Sequence, residues 1–325
     1  MHLTKWVHLF MPLLNVENLS VSYGDKTIVK KCSFTVNSGE IVVVLGASGD
    51  GKTTMLKTIA GQLERKQGAI YFQNVPVADP TEQLVPGHPH IKLVNQDFNL
   101  DEFHTVEENI RLRLLSFDRE YQQQRVKSLL RLTRLTQFRD KKATEISGGQ
   151  RQRLSIARAL ADEPDLVLLD EPFNQLDFQT KNKIATHIKS YLKKNNIGAI
   201  MVTHNGVEAM EWADRILFMR NGKIVRDDSP NAFFNRPNSI EEARFFGQIN
   251  KVLIKDLPVY FRPSFYATKK DELHNLKIPL VFEKIDQLGW YGAYYYKSAS
   301  SKVTLYSTVD ISHLKSVFIR RILIK

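Results

Sequence analysis

Continuous apolar runs alternate with stretches of helical apolar spacing over the first two thirds of the chain. Ile41-Val42-Val43-Val44-Leu45, Leu166-Val167-Leu168-Leu169 and Ile200-Met201-Val202 have no polar interruption, the pattern of parallel strands buried on both faces. Lys92-Leu93-Val94 predicts another strand, and alternation around Tyr23 and Phe34 predicts two more. Helical spacing runs from Thr53 to Ala60, where Gly61 ends it, from Tyr121 to Leu135, and from Leu154 to Leu160. Thr105-Val106-Glu107-Glu108 has the form of a capping box and predicts a further helix start. The pattern changes beyond residue 228. Asp228 to Asn238 reads as a turn-rich linker and Glu241 to Gln248 as a short helix. Short strand-like runs follow at Lys251 to Ile254, Leu280 to Lys284, Ala293 to Lys297, Lys302 to Tyr306 and Val317 to Ile324, which predict a small β-barrel. The fold class is therefore α/β, followed by a small β-rich domain.

Candidate chemistry sits where the apolar runs end. Directly after Leu45 comes Gly46-Ala47-Ser48-Gly49-Asp50-Gly51-Lys52-Thr53-Thr54. Glycines allow turns that aim successive backbone N–H groups into one concavity, the following helix adds its positive end, and Lys52 adds a full charge. Such a loop holds the β- and γ-phosphates of a nucleotide, and the Thr53 hydroxyl is placed to ligate the Mg²⁺ that bridges them. The run ending at Leu169 leads into Asp170-Glu171-Pro172. Open α/β sheets bind ligands at the C-terminal ends of their strands, so Asp170 can reach the Mg²⁺ shell while Glu171 polarises an attacking water.

Between these two elements, Ile146-Ser147-Gly148-Gly149-Gln150-Arg151-Gln152-Arg153 opens a helical segment. Its helix N-terminus is a second potential anion site. Ser-Gly-Gly-Gln lying between a phosphate loop and an Asp-Glu pair resembles the signature of ABC ATPases, the ATP-hydrolysing subunits of membrane transporters. The resemblance implies a P-loop ATPase with a mixed core sheet and a helical subdomain, binding ATP and Mg²⁺. It further implies a homodimer in which Ser147, Gly148, Gly149 and Gln150 grip the nucleotide held by the opposite subunit. By the same resemblance Tyr23 stacks on adenine, Asp177 in Asn174-Gln175-Leu176-Asp177 organises the dimer contact, and Gln96 touches Mg²⁺ or water. His204, after Val202-Thr203, contacts the γ-phosphate. Catalytic roles thus fall on Glu171, His204, Gln96 and Lys52, and metal ligation on Thr53, Gln96 and Asp170. The implied partners are transmembrane permease subunits and, for an importer, a solute-binding protein, with the chain peripheral on the cytoplasmic face of the membrane.

Three features depart from the family pattern. Asp50 stands where the family places Ser, Ala, Cys or Asn, and a carboxylate near a triphosphate is electrostatically unfavourable unless solvent screens it. Ile146 replaces the usual Leu, a volume-conserving change. Asn174-Gln175 replaces commoner small residues. No catalytic position is missing, which argues against a regulatory module that binds nucleotide without hydrolysing it.

The resemblance divides the chain into residues 13–228, an ATPase domain with its helical subdomain at about 97–160, a linker at 229–250, and a C-terminal domain at 251–325. Residues 1–12 read as an N-terminal extension, since Met1 to Phe10 imitates a short signal peptide without a small-residue cleavage site. In the last domain, Val259-Tyr260-Phe261-Arg262-Pro263 and Gly289-Trp290-Tyr291-Gly292 resemble the oligosaccharide-binding-type domain of importer ATPases of the iron, polyamine, sulfate and sugar group. Import is thereby favoured over export.

Composition changes this picture in two places. The single cysteine, Cys32, excludes an intramolecular disulfide, and no run approaches the 18 or so apolar residues of a transmembrane helix. Charge is uneven: residues 251–325 hold 13 Lys and Arg against 6 Asp and Glu, with 12 aromatics including Tyr294-Tyr295-Tyr296. A basic, aromatic small barrel can bind single-stranded nucleic acid, making a nucleic-acid- or ribosome-associated ATPase the alternative function. Against that, alternate tyrosines filling a barrel core give the same composition. Nucleic-acid members of the family also carry paired cassettes or long insertions, whereas Lys52 and Ser147 here lie only 95 residues apart. No direct nucleic-acid contact is expected.

Overall fold

A computed structural model describes residues 11–299 and 301–322. The first ten residues of the proposed N-terminal extension, and the end of the last expected strand, lie outside the described residues. The chain forms two compact units: one comprises the described residues up to His204 with Glu211–Asp227, the other Asn205–Met210 with the described residues from Asp228 onward.

Two sheets build the first unit. A four-stranded antiparallel sheet has the order β2-β1-β4-β5, from β1 (Leu14–Tyr23), β2 (Lys26–Val36), β4 (Gln67–Phe72) and β5 (Val75–Pro76). A six-stranded sheet has the order β10-β9-β3-β8-β7-β6, from β3 (Ile41–Leu45), β6 (Ile91–Val94), β7 (Leu166–Asp170), β8 (Gly198–Thr203), β9 (Arg215–Arg220) and β10 (Lys223–Asp228). Every residue of β3, β7 and β8 is buried, as their unbroken apolar runs require. Helix α1 (Lys52–Ile59) places Met55, Leu56 and Ile59 in one core with Leu14, Val16 and Leu19 of β1 and Val42, Leu168 and Ile200 of the second sheet. Each such side chain contributes roughly 1.5–3 kcal/mol by leaving water.

Within the second sheet, β3 pairs in parallel with β8 and β9, β8 with β7, and β7 with β6. Parallel pairing brings the residues after β3, β8, β7 and β6 to a single edge, and those residues are the phosphate loop, His204, Glu171 and Gln96.

Between β6 and β7 lie helices α2 (Val106–Arg111), α3 (Arg119–Leu132) and α4 (Gly148–Ala159), with two short 3-10 turns. The expected capping box opens α2: Thr105 Oγ1 accepts from Glu108 N, and Thr105 N donates to Glu108 Oε2 at 2.7 Å. Helical structure starts only at Val106, so residues 97–104 are not part of a helical block. Helix α5 (Phe178–Lys194) follows β7, and α6 (Gly206–Trp212) follows β8.

The segment expected to be turn-rich, Asp228 to Asn238, contains a helix, α7 (Pro230–Asn235), while the short helix expected at Glu241 to Gln248 is present as α8 (Ile240–Phe245). Ser229 caps α7 by accepting from Ala232 N, and Pro230 takes the first helical position. Ser-Pro opens a turn or a helix equally well, and here the helical outcome prevails.

Antiparallel strands make up the rest of the second unit. A hairpin joins β11 (Asn250–Ile254) to β12 (Leu257–Phe261), and one three-stranded sheet orders β13 (Tyr266–Ala267), β18 (Ser316–Ile319) and β14 (Leu276–Pro279). Another orders β15 (Val281–Leu288), β16 (Tyr291–Ser298) and β17 (Ser301–Ser307). Tyr294 and Tyr296 point into the core beside Val303, Leu305, Val317 and Ile319, so these two fill the unit rather than offering a stacking platform. Among the described residues, no helix is long and apolar enough to cross a membrane.

Candidate functional site

Gly46 to Gly51 form the loop between β3 and α1. Gly49 and Gly51 adopt φ of 87° and 96°, left-handed values that a Cβ would strain. A Cβ at Gly46 would collide with the Met219 carbonyl oxygen. Ala47, Ser48 and Gly49 are exposed, whereas Lys52 is buried and Thr53 and Thr54 are half-buried. Lys52 Nζ curls back over the loop, donating to the Gly46 and Ala47 carbonyls at 2.9 and 2.7 Å. Burial pushes the Lys52 ammonium below its usual range, opposed by the carboxylates of Asp50, Glu171 and Asp170. The half-buried Asp50 carboxylate is held on both oxygens: its Oδ2 accepts from Ala47 N and its Oδ1 from Asn221 N, both at 2.8 Å.

At the end of β7, Asp170 is buried and its Oδ1 has no hydrogen-bond partner. Burial raises its carboxyl above the usual range, with a hydrogen bond from the Thr53 side chain acting against the rise. Glu171 has a left-handed φ of 48°, a conformation that costs a non-glycine residue about 1 kcal/mol or more. Surrounding bonds hold it there. Glu171 N donates to Val202 O at 3.1 Å, and the Gln152 side chain donates to Glu171 O at 3.1 Å. His204 Nδ1 lies 2.9 Å from Glu171 Oε1, and Asn174 Nδ2 donates to Glu171 Oε2. The phosphate loop, Thr53, Asp170, Glu171 and His204 thus form one polar cluster. Gln96 is exposed in the turn after β6, and Tyr23 is 52% exposed at the end of β1.

A second locus holds the signature. Ser147 and Gln150 form a reciprocal cap on α4: Ser147 Oγ accepts from Gln150 N at 3.3 Å, and Ser147 N donates to Gln150 Oε1 at 2.9 Å. A Cβ at Gly148 would strike the Gln175 side chain, and one at Gly149 would sit 2.9 Å from Gln175 O. The Gln175 side chain can swing away from the first, but the backbone contact at Gly149 demands glycine because the 174–177 loop packs directly on the helix start. Asp177 caps α5 by accepting from Thr180 N at 2.9 Å, and the Thr180 hydrogen bonds hold its carboxyl below the usual range. Ser147, Gly148, Gly149, Gln150, Gln175 and Asp177 border an open cleft of about 970 Å³ that no phosphate-loop residue lines.

An unpartnered, buried carboxylate oxygen beside a threonine hydroxyl suits a hard cation such as Mg²⁺, which binds oxygen donors and shares its shell with phosphates. Sequence reasoning missed the support shell. Asn174 figured there only as a departure from a pattern, although its place three residues after Glu171 was the available signal. Gln152, whose Oε1 also accepts from Gln175 N at 3.2 Å, and Asn221 carried no local signal.

Comparison with known proteins agrees with this geometry. The family model described as ABC transporter matches residues 29–174. The spermidine/putrescine import ATP-binding protein PotA of Haemophilus influenzae is 36% identical over 242 residues, 74% of this chain and 64% of that protein. Its Vibrio cholerae counterpart is 34% identical over 283 residues, 86% of this chain and 70% of that protein. The chain therefore spans just under two thirds of the Haemophilus relative. Among solved structures, a dimeric post-hydrolysis state of the ATP-binding cassette MJ0796 bound to ADP and Pi superposes with a TM-score of 0.60 at 29% identity, covering 67% of this chain and 98% of that one. CbiO1 from Clostridium perfringens, part of the ABC transporter complex cbiONQ, gives a TM-score of 0.62 at 26% identity, covering 69% of this chain and 90% of that one.

Proposed function

The chain belongs to the ABC transporter family, and from that membership and the geometry of its site we propose that it is the ATP-binding and ATP-hydrolysing subunit of an importer. The observation that carries the reading is the Glu171 carboxylate, held by His204 and Asn174 at the sheet edge that also bears the Lys52 loop. The loop amides and Lys52 bind the triphosphate, and Tyr23 stacks on the adenine. Glu171 takes a proton from the attacking water, His204 orients the carboxylate and meets the γ-phosphate, and Lys52 stabilises charge that develops on it. Thr53, Asp170 and Gln96 are the residues that would hold Mg²⁺, which when bound neutralises phosphate charge.

The signature and Asp177 line a cleft apart from the loop, which supports the sandwich arrangement. Ser147, Gly148, Gly149 and Gln150 of one copy would close on the nucleotide of a second, with Asp177 at the contact. Closure would then drive transmembrane permease subunits, placing the chain on the cytoplasmic face of the membrane, with a solute-binding protein delivering cargo. Polyamines, the solutes named for the relatives, are the first cargo to assay. The nucleic-acid alternative loses support because Tyr294 and Tyr296 are core residues.

Glu171→Gln tests the mechanism. ATP affinity should persist, hydrolysis should fall by roughly 10²–10⁴-fold as expected for loss of a general base, and the variant should accumulate as a dimer with ATP and Mg²⁺ in light scattering. A variant that stays monomeric with bound ATP sinks the sandwich mechanism.

A further inference from the structure

Asp50 is the residue at which this phosphate loop departs from the family pattern, and its side chain is fully engaged. Both oxygens accept backbone N–H groups at 2.8 Å, one from Ala47 within the loop and one from Asn221 in the turn between β9 and β10. Asp50 N also donates to Ala47 O at 3.3 Å, so residues 47 and 50 are joined in both directions. The same Ala47 carbonyl receives Lys52 Nζ at 2.7 Å. Ala47 is thereby fixed at its N–H by Asp50 and at its carbonyl oxygen by Lys52. Gly46 makes room for this: a Cβ there would come within 3.0 Å of Asp50 Oδ2. On the far side the brace continues into the sheet, because Gly222, next to Asn221, accepts from Lys30 N of β2 at 2.8 Å.

We infer that Asp50 is a positioning residue that clamps the phosphate loop to the β9–β10 turn and so presets the loop's amides for a triphosphate. This inference rests on the nucleotide-binding reading of that loop. Two opposed effects decide its sign. A carboxylate near the phosphates repels them, but its charge is already shared with two amides and lies beside Lys52. A loop without the clamp must lose conformational freedom on binding, which lowers affinity. The clamp is the larger effect here, since two charge-assisted hydrogen bonds hold one short loop.

The test compares wild type, Asp50→Ala and Asp50→Asn by amide exchange without nucleotide and by calorimetric titration with ATP. Exchange should show the Ala47 and Asn221 amides protected in the wild type and released in Asp50→Ala. ATP affinity of that variant should fall about tenfold, the equivalent of one charge-assisted hydrogen bond. Asp50→Asn, which keeps one acceptor oxygen, should fall between. In steady-state assays the loss should appear in KM more than in kcat, because the loop grips ground state and transition state alike. Equal or tighter ATP binding by both variants would overturn the clamp and show that repulsion dominates. Weaker binding with unchanged exchange at Ala47 and Asn221 would also overturn it. Wild type that binds no ATP would instead refute the nucleotide-binding reading itself.

Discussion

In the C-terminal unit Arg262 is buried, with its guanidinium stacked 4.0 Å from the Phe234 ring and donating to the carbonyls of Phe234, Ala243 and Phe246. Asn250 and Thr304, also buried there, exchange two hydrogen bonds at 2.6 and 2.8 Å. In the first unit Asp170 and Asn95, at the ends of neighbouring strands, each keep a buried side-chain oxygen without a partner. Such an atom costs about 1–3 kcal/mol, a penalty that selection tolerates where a ligand will complete the shell. Among the described residues, Arg262 and Asn250 of the C-terminal unit are satisfied by backbone groups of that unit. The other unit leaves oxygens open at the sheet edge where the proposed catalytic cluster sits. Asp162 in the first unit also has an unpartnered oxygen, but its other oxygen pairs with Lys92 at 2.6 Å away from that cluster.

Breaking the satisfied network should give the largest effect. Arg262→Met removes the donors to three carbonyls, and the fold should lose about 3 kcal/mol. Relief of the buried charge offsets part of the loss, since burial alone lowers the Arg262 pKa to about 10. Denaturant unfolding of the full chain measures the loss. ATP affinity should hold, because Arg262 belongs to the unit without the phosphate loop. An equal fall in affinity would show that the two units are one energetic body.

Asp170→Asn should act in the opposite direction on stability. Burial raises the Asp170 pKa, so the unfolded carboxyl ionises at a lower pH than the folded one. Stability from this group is therefore greatest at low pH and declines as pH rises from the unfolded value through the folded one. Asparagine removes this penalty, and thermal unfolding near pH 7 should improve by about 1 kcal/mol while Mg²⁺-dependent hydrolysis is lost. Unchanged or lower stability would mean that Asp170 is satisfied in ways its geometry does not indicate.

What was legible in the sequence follows the same division. The phosphate loop, the Asp170-Glu171 pair and the helix start at Ser147 are consecutive residues whose chemistry is local, so reading them needed no tertiary information. The strand ends that carry them were equally clear, because burial on both faces leaves an unbroken apolar run. His204 beside Glu171 and Asp50 against Asn221 are 33 and 171 positions apart. The first came only through family resemblance, and the second had no signal, since a turn amide says nothing about its acceptor. In the C-terminal unit, Pro258 hid β12 because proline disfavours central strands, whereas this hairpin accepts it opposite Leu253.

Cys32 supplies the smallest and sharpest test, being a buried polar group of the first unit that is satisfied and lies outside the site. Its Sγ donates to the Gly222 carbonyl at 3.4 Å, and burial pushes the thiol above its ordinary value, against backbone hydrogen bonds from Ile224 and Lys30. A raised thiol pKa means that the unfolded chain ionises first. Below about pH 8 both states hold the proton and the thiol contributes no slope; above about pH 9 only the unfolded state loses it, and stability falls by up to ~1.4 kcal/mol per pH unit. Unfolding titrations from pH 7 to pH 10 should therefore show a decline that Cys32→Ala removes, with hydrolysis retained in the variant. Alkylation of the native chain near pH 8 should be slow and should track unfolding. Rapid alkylation without unfolding would place Cys32 with Asp170 among the groups left open, and the contrast between satisfied and reserved polar atoms would no longer follow the site.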